Sequence, residues 1–263
     1  MYNEYVTYLR DINAENILTR NFKSNSAYNS ILEHVSPQLG HQYLGLIEAE
    51  YPHIASSAIK EYAELNDKYG APNKHVFTCR DGVRIYCSPT SLRYVYHALL
   101  ILRHFKEVGG KSFVEVGCGY GGLFLAICFF SPLVEAEVEN YHLVDFPEVG
   151  NLIRHYIQAN SANFSVKPTW FLHDCHSHGA TVPSENGLFL ISNYCFTEID
   201  EPDRIKYIEN LFGKVANGFI IWQTVFGCDI QRVDSIKKTI RFVGKETPQT
   251  CPHAHAPNYF VFF

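Results

Sequence analysis

The chain has 263 residues, enough to bury a full core and suited to one α/β domain with an appendage. Its 46% hydrophobic and 19% charged content excludes a disordered polymer, and no apolar run approaches the roughly 18–20 residues of a membrane span. A net charge of −5 without a lysine or arginine block argues against a nucleic-acid partner, which needs a basic footprint.

The first residues, MYNEYVTYLRDINAEN, are polar and of mixed charge, unlike a secretory signal. Eight cysteines are scattered without a CxxC pair, so reduced thiols and a cytoplasmic location are expected, with no membrane partner. Residues 1–74 read as a helical cap or lid. Apolar residues recur at three- and four-residue spacing over 25–34, 37–51 and 54–69, and Pro37, Pro52 and Pro72 punctuate them. Residues 75–110 read as a connecting segment. HVFTCRDGVRIYCS predicts a β-hairpin turning on Asp81-Gly82, and SPTSLRYVYHALLILRHF predicts a helix with Pro89 near its start. Arg93, in its first turn, either meets a carboxylate or stays solvated.

Residues 111–263 read as the core, and one stretch organises it. Ser112–Val116 is a short apolar strand that breaks into Gly117, Cys118, Gly119, Tyr120, Gly121 and Gly122, followed by an apolar run of helical length. Strand, glycine turn and helix form the first half of a nucleotide-binding unit. The spacing satisfies GxGxxG, so a dinucleotide such as NAD(P) is one reading. Glu115 favours another. A carboxylate at the strand mouth repels a pyrophosphate and attracts a cationic ligand with an ammonium group, such as S-adenosylmethionine. The run E-V-G-C-G-Y-G resembles motif I of the class I methyltransferases.

The remaining chain alternates regularly, with strands predicted over 139–144, 169–173, 187–192 and 218–224 and helices over 149–159, 201–212 and 230–240. The last two strands, 242–245 and 259–263, are joined by a connection too short for a crossover helix and should pair antiparallel. The expected fold class is therefore α/β: a Rossmann-like class I methyltransferase fold with a mostly parallel seven-stranded sheet. It would end in an antiparallel hairpin and carry an N-terminal helical cap.

Ligands in open α/β sheets lie outside the C-terminal strand ends, which selects the candidate residues. Glu115, Gly117, Cys118, Gly119 and Gly121 are assigned to the methionine half of the cofactor. Asp145 would accept the ribose hydroxyls, with Phe146 near the adenine; the competing role for Asp145 is a helix N-cap. Asp174, Cys175 and Asn193 complete the cofactor set. His173, Asp174, His176 and His178 are close in sequence, yet alternate residues on a strand face opposite ways, so polar loop histidines are expected there and no metal. Glu198 and His253 are the candidates to hold or deprotonate an acceptor hydroxyl, a step that methyl transfer to oxygen requires. Asp200 reads instead as a helix cap.

Over residues 88–263 the chain resembles a sugar O-methyltransferase family found in polyketide and polysaccharide gene clusters. SPTSLRY, VEVGCGYGG, YHLVDFPEV, NYCFTEIDEP and PNYFVFF carry the likeness. The resemblance implies S-adenosylmethionine as cofactor and a small hydroxylated acceptor, such as a sugar, as partner; a homodimer is compatible with it. The expected activity is a methyltransferase acting on oxygen. The rivals are an NAD(P)-dependent oxidoreductase and a non-catalytic binding protein of the same fold.

Overall fold

The computed structural model describes residues 2–10, 20–29, 31–163, 166–225, 227–250 and 256–263. In chain order the helices and strands are α1 (Tyr2–Arg10), α2 (Ser26–Asn29), α3 (Pro37–Glu50), α4 (Ser56–Asn66), β1 (His75–Thr78), β2 (Arg84–Cys87), α5 (Pro89–Glu107), β3 (Ser112–Val116), α6 (Gly122–Phe130), β4 (Asn140–Asp145), α7 (Pro147–Asn160), β5 (Thr169–Asp174), β6 (Leu188–Asn193), α8 (Cys195–Glu198), α9 (Glu201–Asn210), β7 (Asn217–Gln223), β8 (Phe242–Lys245) and β9 (Asn258–Phe262). No described helix is long and apolar enough to cross a membrane.

Two compact units divide the chain. One comprises Met1–Arg103, Gly119–Ala136 and Asn151–Lys167; the other comprises His104–Cys118, Glu137–Gly150 and Pro168–Phe263. The division is interleaved along the chain.

The first unit is helical with one hairpin. The Ser36 hydroxyl accepts the Leu39 amide at 3.2 Å and Pro37 sets the first turn, which starts α3 where the sequence predicts it. The helix predicted over 25–34 shrinks to α2. The Asn25 side chain takes the Ala27 amide at 3.0 Å and the Asn29 amide donates to the Glu33 carbonyl at 3.2 Å, so side chains satisfy backbone groups that a helix would pair. The hairpin forms, but not on a two-residue turn. Beyond the Thr78–Arg84 pair the Cys79 amide donates to the Val83 carbonyl at 2.9 Å, so Arg80, Asp81 and a left-handed Gly82 (φ +86°) form a three-residue loop, with the Asp81 carboxylate accepting the Val83 amide at 3.0 Å.

A polar cluster lies buried in this unit. Lys23 is 1% exposed, with its ammonium 4.1 Å from the centre of the Tyr120 ring and 4.0 Å from the Asp67 carboxylate. It donates to the Asn66 carbonyl. Asp67 in turn accepts the Ser88 amide and both the Ser88 and Ser91 hydroxyls, the latter two at 2.8 Å. Arg93 is buried as well, not solvated: its guanidinium donates to the Leu32 carbonyl at 2.8 Å and its charge acts on the Glu33 carboxyl.

The second unit is built on a seven-stranded sheet of order β5-β4-β3-β6-β7-β9-β8. All pairings are parallel except those of β9, which runs antiparallel to both β7 and β8. This is the mostly parallel sheet with a reversed last strand that the sequence predicts. The strands read as continuous apolar runs because both faces are covered. On one face Val114, Leu190, Ile220 and Val261 pack with Phe196, Tyr207 and Phe212 from α8, α9 and the turn after it. On the other, Phe113 stacks on Phe105 at 4.0 Å and meets Phe189 and Tyr141. One predicted element is absent: Ile230–Ile236 is a 3-10 turn, not an α-helix. Asp229 binds the Gln231 amide and Lys237 adopts a left-handed backbone (φ +56°), which stops it.

Candidate functional site

The sheet reverses direction of growth between β3 and β6, with β4 and β5 on one side and β7, β9 and β8 on the other. The crevice outside the strand ends at such a reversal is where open α/β sheets bind ligands.

Glu115 does not stand at the mouth of that crevice as a charge. It shares the Phe113 face of β3 and is 2% exposed; the Tyr141 hydroxyl donates to its carboxyl at 2.6 Å. Burial, reinforced by the Asp145 charge and opposed by Tyr141, pushes its pKa up to about 8. Glu115 is thus a largely neutral, inward-facing acid at pH 7, and the electrostatic selection of a cationic ligand expected from it is withdrawn. The cause is the strand's period of two, which puts Glu115 on the same face as Phe113.

The turn itself is as the glycines demand. Gly117 has φ +82°, and its amide donates to the Val144 carbonyl at 3.0 Å. Gly119 (φ +57°) and Gly121 (φ +88°) continue the turn in the first unit, where a Cβ on Gly119 would lie 3.0 Å from Leu32. Cys118 is buried, and its amide donates to Oδ2 of Asp145 at 2.7 Å.

Asp145 ends β4 half-buried, and its Oδ1 accepts the Phe146 amide at 2.8 Å. Its carboxylate thus ties the glycine turn to the end of β4. Across the sheet its register partner is Asp174. The Phe146 ring lies 6.1 Å from the His176 ring. Cys175 is half-buried, and burial, with the charges of Asp145 and Asp174, pushes its thiol up to about 12. Cys118, Asp145, Phe146, Asp174 and Cys175 therefore gather at the ends of β3, β4 and β5. Asn193 ends β6 on the other side of the reversal.

The histidines near β5 diverge. His173 lies 3.0 Å from His142, which reaches Glu185 at 3.1 Å, while His178 lies 3.0 Å from Asp203. Asp174, Cys175 and His176 do bring one ligand atom each within 4.8 Å of one another.

Two features of the loop after β6 escape sequence reading. A Cβ on Gly117 would lie 2.2 Å from the Cys195 Cβ, so Cys195 is seated directly on the turn. Tyr194 adopts φ +70°, which a side chain makes costly. Its hydroxyl donates at 2.5 Å to Glu246, a 1% exposed carboxylate that also accepts the Thr250 amide at 3.0 Å and the Asn258 amide at 2.8 Å. An aromatic residue after a strand carries no signal for a positive φ; only the paired Asn-Tyr-Cys break hinted at a turn.

Glu198 is half-buried at the end of α8, where the Gln223 amide donates to it at 2.8 Å. His253 lies outside the described residues. Asp200 caps α9 by accepting the Asp203 amide at 3.2 Å, as the sequence predicts.

No family model matches the chain, and no curated protein matches it in sequence. Solved structures similar to it include magnesium protoporphyrin IX methyltransferase from Synechocystis PCC 6803 with bound SAM, 13% identical over 65% of this chain and 80% of that one (TM-score 0.46). The mitomycin 7-O-methyltransferase is 13% identical over 66% and 54% (TM-score 0.44). The methyltransferase domain of bacterial CtHen1 is 12% identical over 64% and 96% (TM-score 0.43). Similarity of this degree carries no inference about what the chain binds.

Proposed function

We propose that the chain is an S-adenosylmethionine-dependent methyltransferase acting on a hydroxyl of a sugar or similar small metabolite in the cytoplasm. The observation that supports it best is the Asp145 carboxylate at the end of β4, tied to the glycine turn beside a sheet whose last strand is reversed. An ordinary dinucleotide fold ends on a parallel strand, so the sheet now carries the distinction from NAD(P) that Glu115 does not.

The residues fit the adenosine end of the cofactor well. The Asp145 carboxylate, whose oxygens accept the Cys118 and Phe146 amides, is the acceptor proposed for the ribose hydroxyls. Phe146 would flank the adenine, with Asp174, Cys175 and Asn193 nearby at the strand ends. Gly117 and Cys118, with Gly119 and Gly121 following, would hold the methionine end through bare backbone, a space that Gly117 shares with Cys195.

When bound, the cofactor supplies an electrophilic methyl group on a sulfonium. The chain's own work is to align an acceptor oxygen and take its proton. Glu198 is the carboxylate proposed for that proton, with one oxygen held by Gln223. His253 is the second candidate.

Titration calorimetry with S-adenosylhomocysteine and with NADH tests the reading. Heat from the first and none from the second supports it. Silence from S-adenosylhomocysteine, together with no thermal shift, overturns it.

A further inference from the structure

One backbone outlier stands beside the crevice. Tyr194, between β6 and α8, has φ +70° and ψ −43°, close to the rare and strained γ-turn conformation. A residue with a side chain keeps such a backbone only where its surroundings over-determine it. Here one carboxylate does so. Glu246 follows directly on β8 and is 1% exposed. Its Oε1 accepts the Tyr194 hydroxyl at 2.5 Å and the Thr250 hydroxyl at 2.8 Å. Its Oε2 accepts the Thr250 amide at 3.0 Å and the Asn258 side-chain amide at 2.8 Å. The Gln249 side chain braces the same place, donating to the Glu246 and Asn258 carbonyls at 2.6 and 3.0 Å and accepting the Asn258 backbone amide at 2.8 Å. The Tyr194 phenol is therefore tied to a fixed point beside β8 and β9.

The turn that Tyr194 makes carries several groups of the candidate site. Its carbonyl accepts the Thr197 amide at 3.3 Å and the Thr197 hydroxyl at 2.9 Å. The Thr197 hydroxyl accepts the backbone amide of Gln223, the last residue of β7, at 3.2 Å. The Gln223 side chain holds Glu198 at 2.8 Å. Cys195 comes next after Tyr194, and its Cβ and Sγ lie 2.2 and 2.5 Å from the place of a Cβ on Gly117. On the other flank, the Ser192 hydroxyl donates to the Val116 carbonyl at 2.9 Å and accepts the Phe196 amide at 3.0 Å. All these residues belong to the second unit. Rotating Tyr194 to an ordinary negative φ would swing α8 against β6, and Cys195 and Glu198 would move with it.

We propose that Glu246 is a positioning residue for the crevice. Through the Tyr194 phenol it locks the turn between β6 and α8, so that Cys195 rests on Gly117 and Glu198 stays at the end of β7. That the positioned groups serve S-adenosylmethionine and its acceptor rests on the function proposed above; that Glu246 locks the turn does not.

Alkylation by iodoacetamide, mapped by peptide mass spectrometry on the native full chain, tests the lock. Cys195 reports on the turn, and Cys228, 2% exposed in the same unit, reports on general loosening. Burial holds the Cys195 thiol well above the ordinary thiol range, so the parent should label slowly there. Tyr194→Phe removes only the hydroxyl; Cys195 should then label tenfold or more faster, with Cys228 unchanged. Glu246→Gln should do the same. The double variant should label no faster than the faster single one, because both break one hydrogen bond. Tyr194→Phe decides alone if Glu246→Gln does not fold. Unchanged labelling of Cys195, equal acceleration at Cys195 and Cys228, or additive effects of the two changes overturns the proposal. Calorimetry with S-adenosylhomocysteine on the same proteins separates the two claims. Tenfold weaker binding to Tyr194→Phe supports the positioning role, and a freed Cys195 with unchanged affinity overturns it. A parent that binds no analogue removes the methyltransferase reading, while the labelling result still decides the lock.

Discussion

The amide of Cys118 donates to Oδ2 of Asp145 at 2.7 Å, so one carboxylate fixes the turn after β3 to the end of β4. Asp145→Asn keeps the shape but loses the charge, and its NH₂ group must face an amide donor or turn its single oxygen that way. Affinity for S-adenosylhomocysteine should fall tenfold or more, about 1.4 kcal/mol at least, by calorimetry. Unchanged affinity would refute the ribose role.

Glu115 makes stability depend on pH. Its pKa of about 8 in the fold lies above its ordinary value of 4.5, so the folded state holds a proton that the unfolded chain releases. The stabilisation is complete below about pH 4.5 and is lost as pH rises through 8, amounting to a few kcal/mol, on the order of its shift. Glu115→Gln imitates the protonated acid and should flatten this slope. The unfolding midpoint of the variant, compared with the parent at pH 5 and pH 8.5, should gain most at the higher value. Parallel slopes would show that Glu115 is ionised.

Gly117→Ala combines two costs: a left-handed backbone and a Cβ placed 2.2 Å from Cys195. The backbone alone costs roughly 1–2 kcal/mol. The variant should melt several degrees lower, and adding Cys195→Gly should restore part of the loss. No recovery in the double variant would place the whole penalty in the backbone.

Most strands were readable from the sequence because both faces of the sheet are covered, and a buried strand is a continuous apolar run. Ser112–Val116 coincides with β3 to the residue. The same burial misled the reading of Glu115. A carboxylate inside an apolar run reads as an exposed charge when nothing announces its partner, and Tyr141 lies on another strand, 26 positions away. Asp145 was legible as a strand-end carboxylate, but its bond to Cys118 was not. The short α2 and the 3-10 turn at Ile230–Ile236 were missed for one reason: asparagine and aspartate side chains bind local backbone and so outcompete the helix that the apolar spacing suggests.

Lys23 and Asp67 form a buried pair in which the two members are unequally supported. Asp67 keeps four other donors when Lys23 is lost, whereas Lys23 without Asp67 keeps the Asn66 carbonyl, the aromatic rings and the nearby Glu33 carboxyl. Asp67→Ala should therefore cost about 3–5 kcal/mol in urea unfolding, and Lys23→Met markedly less. Equal costs would mean that the serine contacts contribute little.

The chain passes between its two units five times, and one passage falls inside the glycine turn, between Cys118 and Gly119. Neither unit is a contiguous stretch, so neither is a module in the genetic sense. Removing residues 1–74 would strip α6 and most of α7 of companions from their own unit while leaving those helices in place. The N-terminal helices therefore share their unit with the half of the glycine turn that begins at Gly119.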